Sequence, residues 1–188
     1  MNAMLRTFIA IELPEGIRRG LVRLQRDLEM PGLSVRWVRT EAMHLTMKFL
    51  GDVRRDDILE VGKLMREAAR GIEPFGLAVE GLGSFPPKGR PRILWVGVTG
   101  EVEKLGILAG RLEEGARKLG AKVEERRYVP HLTLGRVQKA PADLEERLAA
   151  MKKPALGAFQ ADGLILLMSE LTRGGSDYTE LDRVSFGE

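Results

Sequence analysis

Short apolar runs alternate with amphipathic segments along the 188-residue chain. The run TFIAIEL, residues 7–13, predicts a buried strand. Apolar residues at helical spacing then predict a helix with one apolar face, which ends at Pro31 and Gly32. Further along, the pattern predicts extended structure at VRWV and HLTMKFL, a helix at DDILEVGKLMREAAR and a strand at residues 75–85.

The second half of the chain repeats this order. RILWVGV predicts a strand, and residues 102–119 predict a long amphipathic helix that contains three glycines, each costing about 1 kcal/mol relative to alanine. A strand at YVPHLTLGRV, a helix at PADLEERLAAM and one strand at FQADGLILLMSEL follow. The pattern therefore predicts one domain, 1–188, made of two pseudo-symmetric βαβαβ-like lobes that face each other across a cleft. The lobes are 1–85 and 90–188, with strand exchange between them allowed.

Composition excludes several classes of protein. The apolar fraction of 44% and the charged fraction of 30% are typical of a globular domain. The absence of cysteine excludes disulfides, thiolate catalysis and cysteine-based zinc sites. The first residues lack the order of a signal peptide, and no segment approaches the roughly 20 apolar residues of a membrane span. We expect a monomeric cytoplasmic protein without a membrane partner or a cofactor.

Basic residues gather in three places although the formal net charge is only +3. A solvated surface explains any single arginine, but three clusters favour an anion site. The first cluster surrounds HLTMKFLG, the second surrounds HLTLGR, and the third lies in the loop between them. Their members are Arg36, Arg39, Lys48, Arg54 and Arg55; Arg126, Arg127 and Arg136; and Lys88, Arg90 and Arg92.

Both histidines of the chain precede Leu-Thr, at His44 and His131. In a shuffled chain this coincidence has a probability of about 3 in 100,000. Strand alternation predicts that His44, Thr46 and Lys48 share one face, with Leu45, Met47 and Phe49 toward the core. The same alternation places His131 and Thr133 on one face. Two imidazoles can exchange protons with the attacking and leaving oxygens at phosphorus, and the threonine hydroxyls can hold phosphate oxygens.

These residues have other possible roles. A single strand histidine is usually structural, but its repetition with threonine favours catalysis. A metal site is the sharper alternative, yet two histidines without a further ligand make a poor zinc or iron set. Trp37 and Tyr128, near the two motifs, suit either stacking on a nucleobase or packing in the core.

The motifs HLTMKFLG and HLTLGR resemble those of the two-histidine (2H) phosphoesterases. TFIAIELP, WVRTEAMHLTMKFLG, RILWVGV, YVPHLTLGR and LMSELTRGGSDYTEL occur in the order seen in the RNA 2′,3′-cyclic phosphodiesterases, also called 2′-5′ RNA ligases. The resemblance covers nearly the whole chain. It implies an α+β bilobal fold with antiparallel-rich sheets around a central cleft.

The same resemblance implies metal-free hydrolysis of an RNA-terminal 2′,3′-cyclic phosphate to a 2′-phosphate, with weak, reversible 2′-5′ joining of tRNA halves. It implies that His44 is the proton donor and His131 the proton acceptor, with Thr46 and Thr133 as phosphate ligands. Lys48, Arg92, Arg127, Tyr128, Arg136 and Trp37 are the further candidates for substrate contacts. Strict alternation turns Arg136 away from His131, so a role for it requires a bulge or a twist.

Two alternatives remain open at this point. One is a non-catalytic nucleotide- or RNA-binding module, although such a module has no need for both histidines. The other is a related two-histidine enzyme that acts on a small cyclic nucleotide. Depletion of Asn, Gln and Cys, with abundant Arg and Glu, further predicts a heat-stable protein from a warm-growing source.

Overall fold

The computed structural model describes residues 3–86, 89–151, 153–172 and 175–187; Lys88 of the third basic cluster lies outside them. Helices and strands follow the predicted order as far as the last helix, and the final strand of the structure was not predicted. The first half contains β1 (Met4–Ile11), α1 (Glu15–Asp27), β2 (Ser34–Trp37), β3 (Leu45–Arg54), α2 (Ile58–Ala69) and β4 (Phe75–Phe85). The second half contains β5 (Ile93–Gly100), α3 (Val102–Lys118), β6 (His131–Lys139), α4 (Leu144–Ala150), β7 (Ala155–Ala161), β8 (Gly163–Thr172) and β9 (Gly175–Ser185).

The strands form two antiparallel sheets, and each sheet takes strands from both halves of the chain. The first sheet has the order β3-β1-β8-β9, and the second has the order β2-β6-β5-β4-β7. The predicted combination of helices with antiparallel-rich sheets is confirmed. The division into lobes 1–85 and 90–188 stays a prediction.

The prediction of one strand at FQADGLILLMSEL is wrong. The chain leaves β7 of the second sheet at Asp162 and enters β8 of the first sheet at Gly163. The Asp162 carbonyl accepts a hydrogen bond from the Phe186 amide at 2.8 Å, beyond the end of β9. A continuous apolar pattern does not reveal such a break, because buried residues lie on both sides of it: Phe159 and Ala161 in β7, and Leu164 in β8.

One face of each sheet packs on the main hydrophobic core. Buried side chains from the helices and from these sheet faces form that core; examples are Ile9, Leu45, Leu94, Leu132 and Leu108. The opposite faces, which carry Phe8 and Ala10 in the first sheet and Trp95 and Thr133 in the second, are called the open face below. None of the helices in the described ranges has the length and apolar character needed to cross a membrane.

A one-residue register shift follows the threonine in both HLT strands. In the first sheet Ala10 pairs with Thr46 but Ile9 pairs with Lys48, so Met47 is the additional residue. In the second sheet Trp95 pairs with Thr133 but Leu94 pairs with Gly135, so Leu134 is the additional residue. Such a bulge reverses the alternation of side chains beyond it.

The bulge in β3 overturns part of the predicted alternation. Lys48 lies opposite the core residue Ile9 and is only 6% exposed, whereas Phe49 lies opposite Phe8 and is 65% exposed. Phe49, and not Lys48, therefore shares the open face with Thr46. The bulge in β6 acts in the same way: Gly135 turns to the core, and Arg136 turns to the open face with His131 and Thr133.

Gly135 allows the close approach of β2 to the bulge in β6. A Cβ atom at this position would lie 2.4 Å from Cγ1 of Val35 and 2.9 Å from Cε3 of Trp37. Distances this short require the edge strand to move. The glycine is therefore a steric requirement of the bulged register.

We expect Gly135→Ala to lower the free energy of unfolding by about 1–3 kcal/mol, because the added methyl group overpacks the contact between β2 and β6. Denaturant unfolding measures this difference. Gly110→Ala is the matched control: its helix position in α3 has no atom within 4 Å of the added Cβ, so stability should rise by up to about 1 kcal/mol. Unchanged stability in Gly135→Ala would contradict the assigned register.

Candidate active site

His44 lies immediately before β3 and packs into a small aromatic cluster on the open face. Its ring centroid is 4.6 Å from that of Phe8 and 5.2 Å from that of Tyr178. Phe8 belongs to a buried apolar group separate from the main core, together with Ala10, Ile165 and Leu167. The imidazole is therefore partly withdrawn from water by rings that also fix its orientation.

His131 is the first residue of β6 and has an analogous environment. Its ring lies edge-on to Phe85, with centroids 5.0 Å apart, and Trp95 lies 6.3 Å away. Trp95 lies on β5, which pairs with β6, and Phe85 lies on β4, which pairs with β5. Each histidine thus has aromatic neighbours from its own sheet.

Both imidazoles form a hydrogen bond with the backbone of the residue two positions earlier. His131 Nδ1 is 2.7 Å from the carbonyl oxygen of Val129, and His44 bonds to the backbone of Ala42. Because a carbonyl oxygen only accepts, Nδ1 of His131 must carry the proton. In the neutral imidazole this leaves Nε2 as the free acceptor.

Burial is the main cause that lowers the pKa of His44 from 6.5 to about 4. The hydrogen bond to the Ala42 backbone opposes this change, and the positive charge of Arg18 adds to it. The free protein therefore holds His44 neutral at pH 7. A bound anion beside the ring would raise this pKa again.

Tyr128 connects the two motifs. Its hydroxyl donates to the carbonyl oxygen of Thr46 at 3.0 Å and lies 3.2 Å from Sδ of Met47. Burial raises the pKa of Tyr128 well above its usual value, so the hydroxyl stays protonated as a donor. Since Tyr128 precedes His131 by only three residues, this hydrogen bond fixes the segment before the second motif against the strand of the first motif.

Lys48 forms a second connection on the core side of β3. Its Nζ lies 2.5 Å from Oε2 of Glu113 in α3 and 2.9 Å from the carbonyl oxygen of Lys122. Glu113 also accepts a hydrogen bond from the Glu124 amide at 3.0 Å. The predicted substrate contact by Lys48 is therefore wrong, because the side chain faces the core and binds the segment that leads to the second motif.

The other predicted contacts fall into two groups. Trp37 and Tyr128 pack against the main core, which was the alternative to nucleobase stacking for both. Arg92, Arg127 and Arg136 are exposed. Arg136 shares the open face with His131, whereas alternation from Ile93 turns the Cβ of Arg92 to the opposite face.

Sequence reasoning missed the aromatic neighbours of the histidines. Phe8 and Phe85 were assigned to strands only, and neither Trp95 nor Tyr178 was singled out. A signal was available for Trp95, since it lies in a short strand predicted to accompany the second motif. No local pattern could have indicated Tyr178, which reaches His44 from β9 at the other end of the chain.

In the part of the chain that the structure describes, no group of three or more His, Cys, Asp or Glu side chains could hold a metal ion. The candidate site consists of two imidazoles, two threonines and the exposed guanidinium of Arg136, which strand alternation and the two bulges assign to the open face. Such a set can bind an anion and transfer protons.

Comparison with known proteins identifies the family. The model of the family described as LigT like Phosphoesterase matches twice, at residues 11–95 and 96–178. An RNA 2′,3′-cyclic phosphodiesterase of Methanothermobacter thermautotrophicus is 35% identical over 180 residues, which are 94% of this chain and 96% of the relative. A Thermotoga maritima protein of the same name is 32% identical, covering 97% of this chain and 96% of the relative.

Solved structures agree with this result. E. coli LigT complexed with 3′-AMP has a TM-score of 0.82 at 26% identity, covering 99% of this chain and 100% of that one. A Thermus thermophilus protein has a TM-score of 0.80 at 29% identity, covering 96% of this chain and 97% of that one. These matches define the chain as a phosphoesterase. The chain belongs to the LigT-like phosphoesterase family.

We expect the His44 imidazole to titrate with a midpoint near pH 4 in NMR spectra of the free protein, because its aromatic neighbours exclude water. The spectrum of His131→Ala assigns the resonance, since only one histidine then remains. Tyr178→Ala opens one side of the ring and should move the midpoint up toward 6.5. A midpoint near 6.5 in the unmodified protein would contradict the buried environment.

Proposed function

We propose that the protein hydrolyses the terminal 2′,3′-cyclic phosphate of RNA to a 2′-phosphate by metal-free acid–base catalysis. The observation that carries this proposal is the repeated arrangement of the two motifs. In each, an imidazole bonds to the backbone two residues earlier and a threonine follows on the same strand. The names of the relatives, RNA 2′,3′-cyclic phosphodiesterase, support the choice of substrate.

His131 is the proton acceptor in this proposal. Its Nδ1 donates to the Val129 carbonyl oxygen, so Nε2 of the neutral ring is available to take a proton from water. The water oxygen forms a bond to phosphorus as that proton leaves. Negative charge then develops on the non-bridging oxygens.

His44 is the proton donor to the leaving 3′-oxygen. Its low pKa leaves it neutral in the free protein, so it must gain a proton as the substrate anion binds. An imidazolium ion with a depressed pKa is a strong acid, which suits donation to an alkoxide leaving group. The bond between phosphorus and O3′ breaks, O3′ takes the proton, and the phosphate stays on O2′.

The remaining side chains of the site stabilise the phosphate. The hydroxyls of Thr46 and Thr133 donate to non-bridging oxygens, and the guanidinium of Arg136 compensates for the developing charge. The bulge after Thr133 supports this role for Arg136, because it brings the side chain to the open face. The contact between Tyr128 and Thr46 keeps the two halves of the site in register.

The same pair of histidines accounts for ligation, in which the cyclic phosphate opens in the same direction with another nucleophile. A 5′-hydroxyl of a second RNA in place of water would form a 2′-5′ phosphodiester, as in the joining of tRNA halves. Fragments of tRNA are accordingly among the proposed substrates. The monomeric state, the cytoplasmic location and the warm-growing source stay predictions from the sequence.

We expect His44→Ala and His131→Ala each to lower kcat for an oligoribonucleotide 2′,3′-cyclic phosphate by about 10²-fold to 10⁴-fold, which is the rate contribution typical of a general acid or base. Thr46→Val and Thr133→Val should lose about 10²-fold to 10³-fold, as for one transition-state hydrogen bond. Because the histidines act in one step, the double variant should be little slower than either single one. Circular dichroism verifies folding, and a histidine variant that keeps most of its activity would refute the pair.

We expect excess EDTA to leave the rate unchanged and kcat/KM to follow a bell-shaped pH profile. The pH profile of kcat/KM reports the pKa values of the catalytic groups in the free protein, and the pKa of His44 is about 4, so one limb of the profile lies near pH 4. This limb lies well below pH 6.5, where a histidine with an unperturbed pKa would place it. Loss of activity in EDTA that a divalent metal restores would overturn the mechanism.

A further inference from the structure

Two arginines lie directly opposite each other on the open face of the second sheet. Arg36 of β2 pairs in register with Arg136 of β6. Their strand neighbours Val35, Trp37 and Val137 pack against the main core, so alternation turns both arginines away from it. Both side chains are exposed.

This pair has an electrostatic cost in the free protein. Like charges directly opposite on neighbouring strands destabilise a sheet. Among the ion pairs of the described residues, neither Arg36 nor Arg136 has a carboxylate partner, whereas the nearby Arg39 is paired with Asp177. An arrangement of this kind suits an anionic ligand that supplies the missing negative charge.

The position of the pair indicates which anion it binds. Arg136 is three residues beyond Thr133, and β2 is the edge strand of the sheet. The arginines therefore lead from the threonine that holds the cyclic phosphate outward to the rim of the open face. In an RNA end, the next negative charge beyond the cyclic phosphate is the phosphodiester on the 5′ side of the terminal ribose.

We propose that Arg36 binds this phosphodiester, while Arg136 lies between it and the cyclic phosphate. Arginine suits the role because its planar guanidinium donates two parallel hydrogen bonds to phosphate oxygens. The site then selects RNA ends over small cyclic nucleotides, which lack this group. The inference rests on the proposed function and specifies its substrate.

The test compares kcat/KM for two substrates, a dinucleotide ending in a 2′,3′-cyclic phosphate and the corresponding nucleoside 2′,3′-cyclic phosphate with a free 5′-hydroxyl, which lacks the phosphodiester and the nucleoside attached to it. The wild-type protein should prefer the dinucleotide. Arg36→Met should lower the ratio of the two values by about 10-fold and reduce its dependence on salt, and Arg36→Lys should retain part of the preference. Arg36 is exposed, so neither substitution disturbs the core.

Arg23→Met is the matched control, since it removes one positive charge from an exposed position on α1. Its ratio should stay within about twofold of the wild-type value, because the charge lies outside the proposed subsite. A wild-type protein without preference, an unchanged ratio in Arg36→Met, or an equal fall in Arg23→Met would each overturn the inference. Failure of the wild-type protein to hydrolyse either substrate would instead overturn the proposed function, and the inference with it.

Discussion

The bulge that follows each threonine determines which side chains reach the site. Met47 and Leu134 are the additional residues, and beyond them the faces of β3 and β6 are exchanged. Without the bulges, Arg136 would turn to the core and Lys48 would turn to the open face. A buried, unpaired guanidinium is costly, so the two registers differ in stability as well as in chemistry. The bulge occurs at the same position in both halves of the chain, and each half separately matches the family model.

The bulge in β3 also creates the link between the two motifs. By turning Lys48 inward, it brings the ammonium group to Glu113 and to the Lys122 carbonyl oxygen, at the start of the segment that leads to His131. Taking a lysine out of water is unfavourable, and only a close carboxylate with further acceptors offsets it. Together with the bond between Tyr128 and Thr46, this ion pair relates the backbones of the two motifs. The proposed proton transfers, from water and to O3′ at the same phosphate, depend on such control of position.

The sequence predicted the order of elements as far as α4, and a shared face for His44 with Thr46 and for His131 with Thr133, because these follow from local periodicity and from repetition. It could not predict the bulges. HLTMKFLG fits strict alternation equally well, with Met47 and Phe49 both apolar, and only pairing with β1 shows that Phe49 is exposed. The break at Asp162 was missed for a similar reason, since the sheet to which a strand belongs is decided by distant partners. Tyr178 reaches His44 through tertiary packing, which leaves no signal in local sequence.

We propose that the two motifs act together on one cyclic phosphate, with O3′ as the leaving group. The most direct measurement is ³¹P NMR of the product formed from an oligoribonucleotide that ends in a 2′,3′-cyclic phosphate. We expect one terminal product, a 2′-phosphate with a free 3′-hydroxyl, because the acid histidine protonates O3′. A 3′-phosphate, or a mixture of both isomers, would contradict the proposal.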